Sequence, residues 1–194
     1  MRYATAVLLM LVFMAGCAGS PRSSFYTLTA TTRQEHLAAG NNLPSVAIMQ
    51  VTLPELVDRP QMVLHAEAAK VELLETHRWA EPLKNAIPRI LAEDIALTLN
   101  SSKVSSYPQS AATAADLKVY VDILHFERFE DKVILEAAWT IRRSDDGPSR
   151  NGRRRVEEKI AGSSHEAAVA AFSRALATIS RDIAIMLTNT TPAK

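Results

Sequence analysis

Residues 117–141, LKVYVDILHFERFEDKVILEAAWTI, contain two runs in which apolar and polar side chains alternate. The apolar members are Leu117, Val119, Val121 and Ile123 in the first run, and Val133, Leu135, Ala137, Trp139 and Ile141 in the second. A period of two places alternate side chains on opposite faces of a β-strand. Because charged residues 130–132 separate the runs, the pattern predicts a β-hairpin with one buried face.

Further strands are predicted on both sides of this hairpin. The turn formers Asp146-Gly147 and Asn151-Gly152 make 142–152 an exposed tip, followed by a polar strand over 153–160. The charges of that strand suit a sheet edge, where they oppose pairing with other chains. Short β-prone runs predict strands at 25–28, 45–53, 61–66, 70–75 and 103–107, whereas 109–115 is assigned to the surface.

Two segments change to the period of about 3.6 that is typical of amphipathic helices. The first spans 81–100, where Pro88 is expected to kink the helix or make its first turn irregular. The second spans 164–187, with Ser163 or Ser164 as its N-terminal cap. We therefore predict an α+β fold in which two long amphipathic helices cover one face of a mainly antiparallel sheet.

The N-terminus indicates export and lipid attachment. Arg2 precedes an apolar run over 4–13, which is shorter than the roughly 20 residues needed to cross a bilayer. The run ends in Met14-Ala15-Gly16-Cys17, which resembles the bacterial lipobox, although Met14 stands where that motif usually has Leu. The resemblance implies cleavage between Gly16 and Cys17, a diacylglycerol thioether on the Cys17 sulfur and an acyl chain on its amine.

The residue after the cysteine indicates which membrane holds the protein. Lipoproteins of the enterobacterial type are retained at the inner membrane by Asp at this position, whereas this chain has Ala18. We therefore expect the periplasmic face of the outer membrane. Two or three acyl chains, at about 0.8 kcal/mol per buried methylene, give stable anchoring. The alternative is a lone thiol in an exported protein, which is a liability there.

These signals divide the chain into four parts. We predict a signal peptide at 1–16, a lipidated tether at 17–24, a single domain at 25–188 and a disordered tail at 189–194. The chain has 22 basic side chains, and loss of Arg2 leaves 21 against 21 acidic ones. A near-neutral mature chain lacks the basic excess of nucleic-acid-binding proteins, so we expect no nucleic acid partner.

Residues capable of catalysis or metal binding are present, but their spacing does not favour either function. The histidines are His36, His65, His77, His125 and His165. His77 and Glu81 stand four residues apart, yet a helical zinc motif needs a second histidine. Adjacent Ser163, Ser164 and His165 cannot form a triad, and no Gly-x-Ser-x-Gly elbow or phosphate-binding glycine loop occurs. We predict no enzyme activity, metal or cofactor.

Two other features have alternative interpretations. Trp139 lies on the apolar side of its strand and is predicted to be in the core, whereas Trp79 is either a core residue or a residue that stacks on a ligand. The arginines of 142–155 are suited to lipid phosphates or an acidic partner. Because acidic residues are interspersed among them, a solvated hairpin is favoured.

Six segments, in this order, resemble the PqiC-like family of ABC-type transport auxiliary lipoproteins, which accompany MCE-domain lipid transporters of Gram-negative bacteria. They are FYTL at 25–28, VTLP at 51–54, LVDRPQMV at 56–63, HRWAEPL at 77–83, VSSYP at 104–108, and the helix from SRAL at 173–176 to Ile183. The resemblance covers nearly the whole mature chain.

The resemblance implies a non-enzymatic docking subunit, anchored in the outer membrane and facing the periplasm. Its implied partners are an MCE-domain protein and the permease and ATPase of an ABC transporter, and it is compatible with a homo-oligomer. Two alternatives make different structural predictions. A lipid-carrying module requires an apolar cavity between the helices and the sheet. An envelope hydrolase requires clustered histidine, carboxylate and serine side chains.

Overall fold

The computed structural model describes residues 21–31, 43–67, 69–145 and 147–189. The signal peptide, Gly16, Cys17 and the first part of the tether lie outside the described residues, as do His36 and 190–194. The strands are β1 (Ser24–Tyr26), β2 (Val46–Thr52), β3 (Gln61–Glu67), β4 (Lys70–Trp79), β5 (Val104–Ser106), β6 (Leu117–Arg128), β7 (Lys132–Arg143) and β8 (Arg150–Lys159). The helices are α1 (Leu83–Leu99), α2 (Ser110–Thr113) and α3 (His165–Thr188).

The predicted hairpin forms the centre of a five-stranded sheet with the order β5-β2-β6-β7-β8. β6 and β7 pair in antiparallel register, with Val121 opposite Trp139, and the predicted alternating apolar residues are buried. The polar strand β8 lies at the edge of this sheet. Both the hairpin and the charged edge strand are therefore confirmed.

The α+β class is confirmed, but the strands form two sheets with both parallel and antiparallel pairs, instead of one mainly antiparallel sheet. β1, β4 and β3 form a separate three-stranded sheet. β1 runs parallel to β4, and β2 runs parallel to both β5 and β6. Parallel neighbours require long crossover connections. Strand periodicity does not reveal which strands such connections bring together.

The two long helices pack against each other and on the five-stranded sheet. α1 contacts β2 and β5, whereas α3 contacts β7 and β8. α1 continues through buried Pro88, so the proline does not end the helix. α3 begins at the predicted cap, where the Ser164 hydroxyl oxygen accepts a hydrogen bond from the Ala167 N–H at 3.1 Å. The predicted cover of two amphipathic helices is confirmed.

The segment 109–115 is not confined to the surface, as its composition had indicated. It contains the short helix α2, and Ala112 and Ala115 are buried against Ala47 of β2. Small side chains here allow the helix to lie close to the sheet, and composition alone does not distinguish such a contact from an exposed loop. Trp139 lies in the core as predicted, and Gly152 of β8 leaves room for its ring.

Candidate functional site

The predicted tether is joined to the domain by β1, at the edge of the three-stranded sheet. β1 pairs in parallel with the end of β4, with Ser24 opposite His77 and Tyr26 opposite Trp79. Phe25 lies between them and is 65% exposed. Because Ser24 follows Cys17 by only seven residues, the position of β1 relates any anchor at Cys17 to the rest of the domain.

A cleft opens where β4 ends and α1 begins, and we call it the Trp79 cleft. Residues 58–60 form one wall, and 79–82 with Lys84 form the other, around a volume of about 400 Å³. Two backbone hydrogen bonds hold these walls. The Trp79 N–H donates to the Pro60 carbonyl at 2.7 Å, and the Ala80 N–H donates to the Tyr26 carbonyl at 2.8 Å. The cleft is therefore built from the end of the same strand that pairs with β1.

The Trp79 cleft has apolar residues in its walls and one cation, Arg59, with a hydrogen-bond donor that is unpaired within the described chain. The Arg59 Nε is buried and has no hydrogen-bond partner among the described residues. At the mouth, Lys84 Nζ lies 3.5 Å from Asp58 Oδ2. Glu81 pairs with Arg89, and this hydrogen bond is the main cause of the raised pKa of Arg89. Arg59 as a whole is half-buried in the cleft wall.

Trp79 belongs to the core and also forms part of the cleft wall. The side chain is 7% exposed, and its ring meets Phe126 and Phe172 edge-on, at centroid distances of 5.9 and 6.2 Å. Of the two interpretations left open by the sequence, the core interpretation is therefore the better description. The packing also fixes the cleft wall, because the ring is held from behind by the two phenylalanines.

A cluster of polar rings joins β1, β4, β6 and α3. His77 stacks on His165 at a centroid distance of 3.7 Å, and the Tyr26 hydroxyl lies 2.8 Å from His77 Nδ1. An Arg128 guanidinium nitrogen lies 2.6 Å from His165 Nδ1. Since guanidinium only donates, His165 accepts through Nδ1 and is uncharged. Burial, followed by the charges of Arg128 and His77, lowers the pKa of His165.

Arg128 is the most deeply buried cation of this cluster. It is 6% exposed, and burial lowers its pKa. No carboxylate among the described residues forms an ion pair with it. No sequence motif indicates this cluster, because its members come from four elements that are far apart in the chain.

The residues considered for catalysis and metal binding have other partners. His77 contacts Tyr26 and His165, while Glu81 pairs with Arg89. The Ser164 hydroxyl caps α3. His125 bonds Glu127 at 2.7 Å, and His65 packs on Phe129. Within the ranges that the structure describes, no three His, Cys, Asp or Glu side chains are grouped to hold a metal ion.

Among the residues that the structure describes, four of the six arginines of 142–155 form ion pairs, namely Arg143, Arg153, Arg154 and Arg155. Arg153 and Arg155 both bind Glu136, at 2.6 and 2.9 Å, and their hydrogen bonds lower its pKa, that of Arg155 most strongly. Arg143 binds Asp145 at 2.8 Å and lowers the pKa of that carboxyl to about 2. This pairing agrees with the solvated-hairpin interpretation, because these cations already have carboxylate partners.

Over the described ranges, no helix has both the length and the apolar character to cross a membrane.

The fold is shared with solved structures of low sequence identity. One crystal structure of an uncharacterized protein is 17% identical, with a TM-score of 0.70, over 86% of this chain and 99% of that chain. Protein XCC0632 from Xanthomonas campestris is 14% identical, with a TM-score of 0.66, over 86% of this chain and 96% of its own. At these identities the similarity shows the fold alone. No curated protein matches the sequence.

Within this α+β fold, the sequence match identifies the family. The family model of the ABC-type transport auxiliary lipoprotein component matches residues 26–184, which is most of the chain. The chain therefore belongs to this family, and the resemblance found from its sequence segments is confirmed. Its general role is that of an auxiliary component of ABC-type transport.

Proposed function

We propose that the chain is a non-enzymatic docking lipoprotein, anchored through Cys17 in the outer membrane and facing the periplasm. It receives an MCE-domain partner of an ABC-type lipid transport system. The observation that carries this proposal is the family match over 26–184, directly after a lipobox-like cysteine. The MCE-domain partner and the outer membrane come from the resemblance and from Ala18.

The Trp79 cleft is the surface best suited to the partner. β4 has ten residues, and at about 3.3 Å per residue its two ends are roughly 30 Å apart. The cleft lies at the Trp79 end, toward which β1 also runs. A tether that continues in line with β1 before Ser24 leads away from the cleft, toward the side on which β4 begins.

The chemistry of the Trp79 cleft favours a protein segment as its occupant. Arg is among the residues enriched where binding energy concentrates in interfaces, and Arg59 lines this cleft. Arg59 is half-buried, and its guanidinium only donates, so it suits an acceptor such as a carboxylate or a main-chain carbonyl. The exposed residues Pro60, Ala80 and Pro82 supply apolar contact area around it.

The alternative of a lipid-carrying module receives less support. Between the helices and the sheet, large side chains such as Leu91, Leu135 and Phe172 are fully buried against one another. A cavity of about 340 Å³ lies between α1 and α3, but Asp94, Arg154 and Asp182 are among the residues that line it. A lipid tail requires an apolar lining.

Cys17→Ala is expected to abolish anchoring. The variant has no thiol, so the diacylglycerol cannot be attached and the protein is no longer held in the membrane. Intact-mass analysis of membrane fractions tests this, with wild type expected as an acylated chain that begins at Cys17 in the outer membrane. An unacylated wild-type chain, or an acylated one confined to the inner membrane, would contradict the proposed anchor.

Ala80→Arg is expected to reduce partner binding by about tenfold or more, equivalent to about 1.4 kcal/mol. Ala80 is exposed in the Trp79 cleft, so a long side chain there fills the cleft without entering the core. The measurement is co-purification of the MCE-domain protein with the tagged full chain. Ala111→Arg, at an exposed alanine of α2, is the matched control. Equal recovery with both variants would remove the cleft from the proposal.

A further inference from the structure

The β3–β4 hairpin carries apolar side chains that the rest of the domain covers only in part. Val71 and Leu73 are 39% and 36% exposed. They lie two residues apart on β4 and therefore share one face of the strand. Their cross-strand partners are His65 and Val63. Lys70 is exposed at the tip, where β4 begins.

The direction of β1 relates this hairpin tip to the lipid anchor. β1 runs parallel to β4, with Ser24 opposite His77. A chain that continues in line with β1 before Ser24 therefore lies on the side of the sheet on which β4 begins, which is the side of the hairpin tip. Only the last three residues of β4 pair with β1, so the strand continues toward the tip beyond this contact.

The tether and the free part of β4 have the same length in residues. Ser24 follows Cys17 by seven positions, and His77 follows Lys70 by seven positions. A fully extended chain spans at most about 3.6 Å per residue, so the tether reaches about 25 Å. The strand covers about 23 Å over the same count. A fully extended tether in line with β1 would thus bring Cys17 to the level of the hairpin tip but hardly beyond it.

We propose that the tip of the β3–β4 hairpin is a second membrane contact, in which Val71 and Leu73 enter the surface of the bilayer that holds the acyl chains. The inference rests on the proposed acylation of Cys17. Because the tether is no longer than the hairpin, any bend in it draws the tip toward the lipid. The short length of the tether therefore favours the bilayer as the surface that the tip contacts.

The side chains at the tip suit the boundary between headgroups and acyl chains. Partly exposed Val71 and Leu73 gain from burial in an apolar layer, as in proteins that lie on a membrane surface. Lys70 and Glu72 alternate with Val71 and Leu73 and so point to the opposite face of the strand. Contact through the face of Val71 and Leu73 leaves both charged groups in water.

A fluorescent probe at the tip tests the proposal with the full acylated chain. Leu73→Cys is labelled with an environment-sensitive dye and reconstituted in vesicles of phosphatidylethanolamine and phosphatidylglycerol. The native Cys17 sulfur is blocked by its thioether, so only the new thiol reacts. Ala80→Cys, in the Trp79 cleft at the other end of β4, is the control, and Val71→Cys is measured in parallel.

The expected result is a blue-shifted emission and several-fold weaker iodide quenching at 71 and 73, with no change at 80. Strong quenching at 71 and 73 in an acylated protein overturns the tip contact and leaves the anchor intact. If the dyes at 71 and 73 are protected from iodide in detergent, and this protection grows with protein concentration, the tip contacts a second copy of the chain. That result also overturns the proposed membrane contact. Intact mass is read from the same samples. An unacylated mass overturns the proposed anchor, and with it the tip contact.

Discussion

Replacing Phe172 with alanine is expected to lower the free energy of unfolding by about 3–5 kcal/mol, as for other large-to-small changes at buried aromatic residues. Phe172 is fully buried on α3. Its ring stacks on Phe126 of β6 at a centroid distance of 3.9 Å and meets Trp79 of β4 edge-on. The residue is thus the point at which the helix layer contacts both sheets.

The surroundings of Phe172 make relaxation after truncation difficult. A small void already lies beside the ring, between Met62, Trp79 and Phe126, so removal of the ring enlarges an existing defect. The measurement is urea denaturation of the mature chain. Ile185→Ala, at a 40% exposed position of the same helix, is the matched control and is expected to cost less than about 1 kcal/mol. Similar losses for both variants would show that this aromatic contact contributes little.

Asp94→Asn is expected to stabilise the protein at pH 8, by up to about 4 kcal/mol. Asp94 of α1 is 3% exposed. One carboxylate oxygen accepts a hydrogen bond from the Thr31 N–H at 2.9 Å, and the other has no partner among the described residues. Burial raises the pKa of this carboxyl to about 7, although the bond from Thr31 opposes the shift.

The sign of the pH dependence follows from this raised pKa. Between the unfolded pKa of about 4 and the folded pKa of about 7, the folded state binds more protons than the unfolded state. The free energy of unfolding therefore falls as the pH rises through this window. Asparagine has no charge to bury and still accepts from Thr31. The free energy of unfolding is measured for wild type and Asp94→Asn at pH 4 and at pH 8. The two proteins are expected to be nearly equal in stability at pH 4, and the variant is expected to be the more stable at pH 8. An equal pH dependence in both proteins would contradict the raised pKa of Asp94.

Local patterns in the sequence predicted the elements but not all of their neighbours. The alternation in β6 and β7 identified both strands and their pairing, because consecutive antiparallel strands need only a short turn. The apolar stripes of α1 and α3 likewise identified the helices and their buried faces. β1 and β4 pair across fifty residues of intervening chain, and nothing in the periodicity of either strand indicates that contact.

The difference between local patterns and contacts between distant parts of the chain also explains which parts of the candidate site could be predicted from the sequence. Trp79 was noticed as a residue type, but its role in the cleft depends on the backbone bonds to Pro60 and Tyr26, which are not visible in sequence. The contact between His165 and Arg128 was missed because a buried arginine beside a histidine has no sequence motif. By contrast, the Ser164 cap followed from local chemistry alone.

The parallel pairing of β1 with β4 also determines how the domain bears mechanical load. If the acyl anchor pulls on the chain before Ser24, the force acts along the axis of β1, away from the direction in which the strand runs. Hydrogen bonds between parallel strands are then loaded in shear, so that the bonds along β1 resist together, whereas a perpendicular pull would break them one at a time. The Tyr26–His77 contact lies on the same short strand and shares this load. The three residues of β1 thus share the load on a domain that is held by its N-terminus.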